Sequence, residues 1–307
     1  MKRICSLLLL YILAAVLLLP ALVTVLCGNF RKTPPQEAKA LYRTADLAPL
    51  DSELEEYVMG VVAAEMPAAF PEEALKAQAV AARTYELRQM RAAGSDAVLY
   101  DVGQAYCSPA EQKQKWGENY EGYAAKVRKA VRETAGEIMV YEGEPILAAF
   151  HAQSGGKTED AAYVWNSAVP YLKSVDSHED QDAPNNEVTL SLSAETILQK
   201  LSAYGKTGRT AASLDIKIVE RTAAGYVAEV TAGELRLTGR QMREALGLRS
   251  ANFTVKREGD SFSFTTRGYG HGAGMSQYGA SFLAEKGLDY HEILRHYYTG
   301  IDFEKIA

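Results

Sequence analysis

The chain has 307 residues, of which 47% are hydrophobic and 23% are charged, and this is the composition of an ordinary globular protein. The length allows one large domain or two modest ones. The formal net charge is −6 at pH 7, so the chain lacks the basic character that nucleic-acid binding requires. Three cysteines are too few for a disulfide framework.

The N-terminus carries a long apolar segment. Residues 4–28 contain no charged side chain, and a helix of roughly 20 residues is sufficient to cross a hydrocarbon core. A cleaved signal peptide is the alternative, but its apolar region is usually about 7–15 residues long and ends at a small-residue cleavage site, which is not evident here. We therefore expect a membrane anchor at 1–28, a linker at 29–50 and a folded domain at 51–307.

Helices are predicted at the start of this domain. Apolar residues recur at helical spacing from Ser52, and the helix should end at Met66 because proline follows. A second helix is predicted to begin at Pro71 and to end at Gly94. A third is expected at about 121–134.

Strands are predicted in the next part of the chain. The apolar runs at 137–141 and 146–150 indicate two strands around a turn, and 176–190 is a polar loop. From about 193 to 263 the pattern gives a helix, two alternating strands, a second helix and a hairpin, and we interpret this region as an inserted α/β subdomain. The expected fold class is α+β, with a mostly antiparallel sheet, packed helices and an active-site cleft.

Glu65 is the first candidate for chemistry. It is the only acidic residue from Tyr57 to Pro67, and it falls in the last turn of the first predicted helix. Apolar neighbours and the negative end of the helix dipole would both raise the pKa of its carboxyl group. A carboxylic acid that is partly protonated near neutral pH suits a general acid for breaking glycosidic bonds. The alternative is a surface glutamate at a helix end.

Gln78 and Arg83 are candidates on the second predicted helix. Gln78 falls on a face otherwise made of alanine and valine, where an amide without a partner is unusual. We interpret Gln78 and Arg83 as hydrogen-bonding residues of a substrate site, and the surrounding alanines as core.

A glycine turn follows the second predicted strand. Ser154, Gly155 and Gly156 would expose backbone amides and a hydroxyl group there. The spacing of a phosphate-binding loop is absent, so a nucleotide site is not expected. A nucleophilic pair of Ser154 and His271 is conceivable, but no Gly-x-Ser-x-Gly context supports it.

The segment 268–280 is dense in glycine, with five glycines in thirteen residues. Glycine at that density is tolerated mainly where the backbone turns tightly or approaches another group closely. His271, Ser276 and Gln277 stand between the glycines, and these polar side chains favour a binding surface over a plain turn. We expect all three to contact the substrate.

Five segments, in order, resemble the stage II sporulation protein D family, whose wider group includes cell-wall amidase enhancers. The segments are VVAAEMPAAFPEEALKAQAVAARTY (61–85), HAQSGGKTED (151–160), VPYLKSVDS (169–177), GYGHGAGMSQYGA (268–280) and ILRHYYTG (293–300). The resemblance extends from about residue 50 to the C-terminus.

The resemblance implies a membrane-anchored lytic transglycosylase that cleaves septal peptidoglycan during engulfment of the forespore. It places the catalytic glutamate of the family in a Glu-Met-Pro motif, which is Glu65 here. Such an enzyme protonates the oxygen between N-acetylmuramic acid and N-acetylglucosamine, and the muramoyl C6 hydroxyl then closes a 1,6-anhydro ring. Because no water is consumed, the paired carboxylates of ordinary glycosidases are not both needed.

A zinc site known in some members of the family is not expected. Those members carry a His-Cys-Gln-Ala-Tyr segment and a further upstream cysteine, whereas residues 102–106 of this chain are Val-Gly-Gln-Ala-Tyr. Cys107 is shifted in register and stands alone. We predict no metal and no other cofactor.

Two further functions stay open on the sequence. A non-catalytic module that binds glycan and activates a partner amidase is implied by the enhancer branch of the group. A hydrolase would use water, with a second carboxylate such as Asp160 or Asp176 as the base. The mass of the product separates the hydrolase from the transglycosylase, because an anhydro end is lighter by one water.

Location and partners follow from the resemblance. It implies glycan strands stripped of stem peptides as the substrate, with a companion engulfment amidase and a multi-span membrane protein as partners. Because that substrate lies outside the cytoplasm, the domain is expected on the extracytoplasmic side of the cell membrane, with Lys2 and Arg3 in the cytoplasm.

Overall fold

The computed structural model describes residues 52–98 and 103–306. The predicted membrane anchor at 1–28 and the linker at 29–50 lie outside these ranges. Among the helices that are described, none combines the length and the apolar character needed to cross a membrane.

Local signals in the sequence set the ends of the first two helices. Helix α1 spans Glu53–Glu65, is capped by the Ser52 hydroxyl, and ends where Met66 turns extended before a proline. Helix α2 spans Glu72–Ala93, and Gly94 ends it in the left-handed conformation with φ of 60°. These bounds confirm the first two predicted helices.

Helix α3 (Pro109–Trp116) has no counterpart in the sequence predictions, although it begins with a capping box formed by Ser108 and Glu111. A 3-10 turn at Gly117–Asn119 leads into α4, which spans Tyr120–Glu133 and confirms the third predicted helix. The eight residues of α3 form fewer than three turns, so they are too few to show a helical period in the sequence. The capping box at its first residues is therefore its only sequence signal.

The first sheet confirms one predicted strand and corrects the next. Strand β1 (Glu137–Tyr141) lies between β2 (Glu144–Pro145) and β11 (Asp302–Lys305), antiparallel to both. The strand predicted at 146–150 is wrong over most of its length, since only β3 (Phe150–His151) is extended and paired. The backbone of 146–149 bends instead, with the Ala149 amide donating to the Leu147 carbonyl over 2.8 Å.

Strand β3 pairs in parallel with β10 (Met275–Ser276), far away in sequence. The other paired strands of the described residues are antiparallel, so the fold is a mixture of helices and mostly antiparallel sheets, as expected. One large hydrophobic core joins α1, α2 and α4 to the C-terminal helices α8 (Gln277–Glu285) and α9 (Tyr290–Tyr297).

A second hydrophobic cluster lies within residues 194–264. It is enclosed by two three-stranded sheets and two helices. In chain order these elements are β4 (Glu187–Ser193), α6 (Ala194–Leu201), β5 (Ile216–Arg221), β6 (Val227–Ala232), β7 (Leu235–Leu237), α7 (Gly239–Leu246), β8 (Phe253–Glu258) and β9 (Ser261–Arg267). The helix, strand and hairpin predictions for this region are confirmed, while the subdomain boundaries at 193 and 263 stay a prediction.

The loop predicted at 176–190 is wrong at its C-terminal end, where β4 begins at Glu187 and pairs with β9. The remainder holds a 3-10 segment, His178–Asp182. Upstream of it, the short helix α5 (Ala161–Trp165) is capped by the side chain of Asp160.

Candidate active site

Glu65 is the last residue of α1 and is half-buried. Its Oε1 accepts a hydrogen bond of 2.7 Å from the backbone amide of Ala105. Burial raises the pKa of the carboxyl group, while the Ala105 hydrogen bond and the charge of Lys115 act in the opposite direction. The direction agrees with the sequence prediction.

The helix end contributes less to this pKa than the sequence suggests. The ammonium group of Lys115 donates to the carbonyls of Ala63 and Ala64, at 2.8 and 3.2 Å, and so covers the negative end of α1. Removal from water is therefore the main reason why Glu65 holds its proton to a higher pH than an ordinary glutamate.

Glu65 faces a cleft of about 610 Å³. On its own side the cleft is lined by Tyr85, Gly103 and Gln104. The remaining lining residues come from the segment around β3, from α5 and from the glycine-rich segment: they are Leu147, Ala148, Ala149, Phe150, His151, Ala152, Trp165, Tyr269, Gly270, His271 and Gln277. Among the lining residues that are described, Glu65 is the only acidic one.

The glycine-rich segment forms part of the cleft wall because its backbone lies against the backbone before and after β3. The Tyr269 amide donates to the Gln153 carbonyl over 2.8 Å, and the Gln153 amide donates to the Tyr269 carbonyl over 3.1 Å. At Gly274, where φ is 73°, a Cβ atom would stand 2.0 Å from the Ala149 carbonyl oxygen. The close approach predicted from the glycines is therefore, at this position, an approach to the protein's own backbone.

Two of the residues that line the cleft are neutral histidines. His151 Nδ1 donates to the Ala273 carbonyl over 3.2 Å, and the Ala273 amide donates to His271 Nδ1 over 3.1 Å. Burial lowers the pKa of His151 to about 3 and that of His271 to about 4. With these contacts the proton of His271 sits on Nε2, and the imidazoles add no positive charge to the cleft at neutral pH.

Gln277 and Gln78 form a buried pair at the floor of the cleft. Gln277 lines the cleft, and its Nε2 donates to Gln78 Oε1 over 3.2 Å. Gln78 is itself fully buried, and its Nε2 has no hydrogen-bond partner among the described residues. Gln78 thus supports a cleft residue from beneath, rather than lining the cleft as predicted.

Arg83 lies away from the cleft, in contrast to the prediction that it binds substrate. It is fully buried and forms a two-pronged ion pair with Glu55, with Nε and Nη2 at 2.7 and 2.6 Å from the two carboxylate oxygens. Its Nη1 donates to the Glu137 carbonyl over 3.0 Å. These contacts join α1, α2 and β1, so the guanidinium group stabilises the packing of these elements in the core.

Ser154 and Ser276 are also buried, against the prediction that they contact substrate. The Ser154 amide and the Ser276 hydroxyl donate to the carboxylate of Asp180, over 2.7 and 2.8 Å, and the Ser177 hydroxyl donates to it over 3.1 Å. Asp180 is fully buried, and burial raises its pKa against the effect of these donors. The residues form a closed polar network that holds the segment after β3 against α8.

Gly155 and Gly156 do not line the cleft either. A Cβ atom at Gly155 would lie 2.4 Å from the Asn252 amide nitrogen, and one at Gly156 would lie 2.4 Å from that of Gln181. The turn predicted to hold substrate is therefore packed against neighbouring side chains. The conceivable Ser154–His271 pair is likewise not among the hydrogen bonds of the described residues: the Ser154 hydroxyl accepts from the Gly156 amide, and His271 Nδ1 accepts from the Ala273 amide.

The two carboxylates considered for a hydrolase are not among the cleft residues. Asp160 caps α5 and accepts from Lys173, while Asp176 is exposed and pairs with His178. Asp176, His178 and Glu179 bring possible metal-ligand atoms within 4.8 Å of one another on the surface. Nothing else at these three residues indicates an ion, and the absence of a zinc site stays a prediction.

Residues that the sequence analysis did not assign complete the cleft. Gln104 and Tyr85 line the cleft together with Tyr269, which is half-exposed and has the Arg249 guanidinium over its ring. Gln104 lies next to Ala105, whose amide donates a hydrogen bond to Glu65. Ala105 and Glu65 are 40 positions apart, so no local sequence pattern indicates that this segment reaches the site. An aromatic residue between two glycines was the available signal for Tyr269.

Comparison with known proteins relates the chain to a sporulation family. Residues 50–141 match the family model described as Stage II sporulation protein. The chain is 45% identical over 269 residues to Stage II sporulation protein D of Bacillus subtilis (strain 168), covering 85% of this chain and 77% of that protein. It is 43% identical over 272 residues to Stage II sporulation protein D of Bacillus amyloliquefaciens, covering 86% and 78%. The chain belongs to the stage II sporulation protein D family.

A more distant relative has a different name. The Amidase enhancer of Bacillus subtilis (strain 168) is 30% identical over 294 residues, and the match covers 78% of this chain but 39% of that protein. The family resemblance seen in the sequence is therefore confirmed, together with the link to amidase enhancers.

Proposed function

We propose that this protein is a lytic transglycosylase that cleaves the bond between N-acetylmuramic acid and N-acetylglucosamine in septal peptidoglycan during engulfment of the forespore. The observation that carries the proposal is the half-buried carboxyl group of Glu65, with its raised pKa, in a cleft of about 610 Å³. No other acidic side chain is found among the cleft residues that the structure describes.

The reaction needs one carboxyl group. Protonated Glu65 donates its proton to the glycosidic oxygen, and the bond from that oxygen to muramoyl C1 breaks. Glu65, now a carboxylate, accepts the proton of the C6 hydroxyl, and O6 forms the new bond to C1. The enzyme returns to its starting state and no water enters, whereas an ordinary glycosidase requires a second carboxylate. The Ala105 amide stabilises the carboxylate between the two steps.

The cleft walls suit a sugar chain. Tyr85, Trp165 and Tyr269 offer ring faces, and aromatic side chains of this kind combine apolar contact with a polar edge. The two histidines are neutral, so they do not oppose the positive charge that develops at C1 in the transition state. Binding in this cleft would place the bond to be broken near Glu65.

Mass spectrometry of the products tests the proposal. Peptide-free glycan strands are digested with the full chain, with Glu65→Gln and with Glu285→Gln, which changes the exposed last residue of α8 as Glu65→Gln changes the last residue of α1. We expect 1,6-anhydro ends from the parent and from Glu285→Gln. Glu65→Gln should lose on the order of 10²–10⁴ in rate, the typical contribution of general acid–base catalysis.

Reducing ends in place of anhydro ends would contradict the transglycosylase and indicate a hydrolase. Its second carboxylate would then have to come from outside the described cleft residues, among which Glu65 is the only acidic one.

A second candidate is a glycan-binding enhancer of a cell-wall amidase, which the 30% identity to the Amidase enhancer favours. In that case the parent protein binds glycan without cutting it, and Glu65→Gln behaves as the parent does. An amidase assay with and without this protein is the corresponding measurement.

Location and partners complete the proposal. Residues 1–28 would anchor the protein in the cell membrane, with the domain on the extracytoplasmic side where peptidoglycan lies. A companion engulfment amidase would supply glycan strands free of stem peptides, and a multi-span membrane protein would be part of the same assembly. Protease protection of the domain in intact cells and in protoplasts measures the orientation.

A further inference from the structure

A second cavity, of about 280 Å³, adjoins the cleft. Trp165 and His271 line both spaces, with their ring centroids 5.2 Å apart. From these two rings the second cavity extends between α5 on one side and β6 with α7 on the other. A chain molecule that binds beside Glu65 therefore has a place for one of its groups beyond Trp165.

The walls of this cavity are fixed by satisfied polar contacts. The Thr222 hydroxyl donates to Glu159 over 2.6 Å, and the other Glu159 oxygen accepts from the Asp160 amide over 2.9 Å. Arg240 donates to the Val164 carbonyl over 2.7 Å and is paired with Glu244 at 2.8 Å. Glu159 and Arg240 thus hold the two sides together: both Glu159 oxygens accept hydrogen bonds, and Arg240 is paired with Glu244.

Arg243 differs from these neighbours. It lies one helical turn after Arg240 on α7, so both side chains share the face that lines the cavity. Within the described ranges it makes one hydrogen bond, from Nε to the Arg249 carbonyl over 3.2 Å, and no ion pair. Burial lowers the pKa of the guanidinium group, as expected for a partly desolvated cation that lacks a carboxylate at contact distance.

We propose that this cavity is a subsite in which the terminal nitrogens of Arg243 bind a carboxylate of the glycan substrate. The inference rests on the proposed function. A guanidinium group binds a carboxylate through two parallel hydrogen bonds, and the contact is strongest where water is partly excluded. Each N-acetylmuramic acid carries a lactyl carboxylate on O3, whereas N-acetylglucosamine carries none.

The lactyl carboxylate is free only where the stem peptide has been removed, because the peptide is joined to it through an amide bond. Arg243 would therefore distinguish muramoyl from glucosaminyl units, and stripped strands from strands that carry peptides. Stem peptides have carboxylates of their own, so the experiment must separate these two sources of the same group.

Calorimetric binding to the full chain in the Glu65→Gln form tests the subsite without turnover. The probes are a tetrasaccharide of alternating N-acetylglucosamine and N-acetylmuramic acid, and chitotetraose, which has the same length and no carboxylate. Arg243→Gln is compared with Lys256→Gln, a matched loss of one exposed charge outside the cavity.

We expect Arg243→Gln to weaken binding of the muramoyl tetrasaccharide about tenfold or more, since a hydrogen-bonded ion contact is lost. Binding of chitotetraose should change by less than about twofold, the effect of a surface charge. Lys256→Gln should leave both affinities as they are. Arg243→Lys, which keeps the charge without the planar fork, should recover part of the loss and shows that the site remains folded.

The same tetrasaccharide with stem peptides identifies the source of the carboxylate. If Arg243→Gln has no effect on this probe, the lactyl carboxylate is the ligand; if the effect is confined to this probe, the ligand is a peptide carboxylate. Equal losses for all probes, or none for any, would overturn the subsite while leaving the proposed function intact. Failure of the Glu65→Gln protein to bind any of the glycans would overturn both.

Discussion

Two carboxyl groups of this protein, at Glu65 and Asp180, are both raised in pKa by burial, yet their surroundings differ. Glu65 accepts one backbone hydrogen bond and faces an open cleft. Asp180 accepts from Ser154, Ser177 and Ser276 and is fully buried. A group that has vacant lone pairs and access to a ligand can do chemistry, whereas a saturated group holds structure. Substitutions at groups of either kind test this contrast.

The largest effect on stability is expected at the ion pair of Arg83 and Glu55, which is buried and hydrogen-bonded within the protein, as Asp180 is. Arg83→Met leaves Glu55 buried without its counterion and should lower the free energy of unfolding by about 3–5 kcal/mol in denaturant titrations. The exposed Arg91 on the same helix, paired with Glu144, is the control, and Arg91→Met should cost about 0–1 kcal/mol. A stable Arg83→Met protein that no longer binds glycan would restore the substrate role predicted from the sequence.

The next effect concerns Asp180 itself. Asp180→Asn replaces one acceptor oxygen with a donor that faces other donors, and should cost about 1–3 kcal/mol of unfolding free energy. Asp182→Asn, at an exposed position of the same 3-10 segment, should change stability by less than about 0.5 kcal/mol. Loss of activity in Asp180→Asn with unchanged stability would mean that the network takes part in catalysis.

A smaller effect is expected on the pH dependence of activity. General acid catalysis requires protonated Glu65, so kcat/KM should fall as the pH rises through the raised pKa of this group. The charge of Lys115 lowers that pKa, and Lys115→Gln should therefore move the alkaline limb of the profile to higher pH. Lys113→Gln, on the same helix, is the control. A shift to lower pH would show that Lys115 does not act on Glu65 as described.

The smallest effect is a gain of stability. Because the pKa of Glu65 is higher in the folded state than in the unfolded chain, its ionisation destabilises the fold as the pH rises. Glu65→Gln should thus raise the unfolding temperature slightly at pH 7, and the gain should vanish below the pKa of an ordinary glutamate. An equal gain in unfolding temperature at pH 7 and below the pKa of an ordinary glutamate would show that the effect does not arise from the titration of Glu65.

The sequence predicted what is encoded locally. The ends of α1 and α2 follow from a cap, a proline and a glycine, and the raised pKa of Glu65 follows from its burial among apolar neighbours. The apolar run at 146–149 misled the strand prediction, because these residues are buried in a bend in which Tyr171 binds the Leu147 amide. The prediction assumed that a neighbouring strand accepts the Leu147 amide, whereas the Tyr171 hydroxyl accepts it.

Partners distant in sequence account for the site residues that were placed wrongly. Arg83 is separated from Glu55 by 28 positions, and the Ser154 amide from Asp180 by 26. A polar residue among small apolar ones has the same local pattern whether it meets a ligand or a buried counterion. Only the folded chain distinguishes the two cases.

Because β3 pairs with β10, the cleft can be completed only after the C-terminal part of the chain has been synthesised. Phe150 lies beside Met275, and the cleft wall formed near this pairing includes Tyr269 and His271. A chain that emerges from the ribosome N-terminus first exposes Glu65 about two hundred residues before this wall is synthesised. An incomplete or prematurely ended chain therefore carries Glu65 without these cleft residues, and the cleft is complete only when synthesis is almost finished.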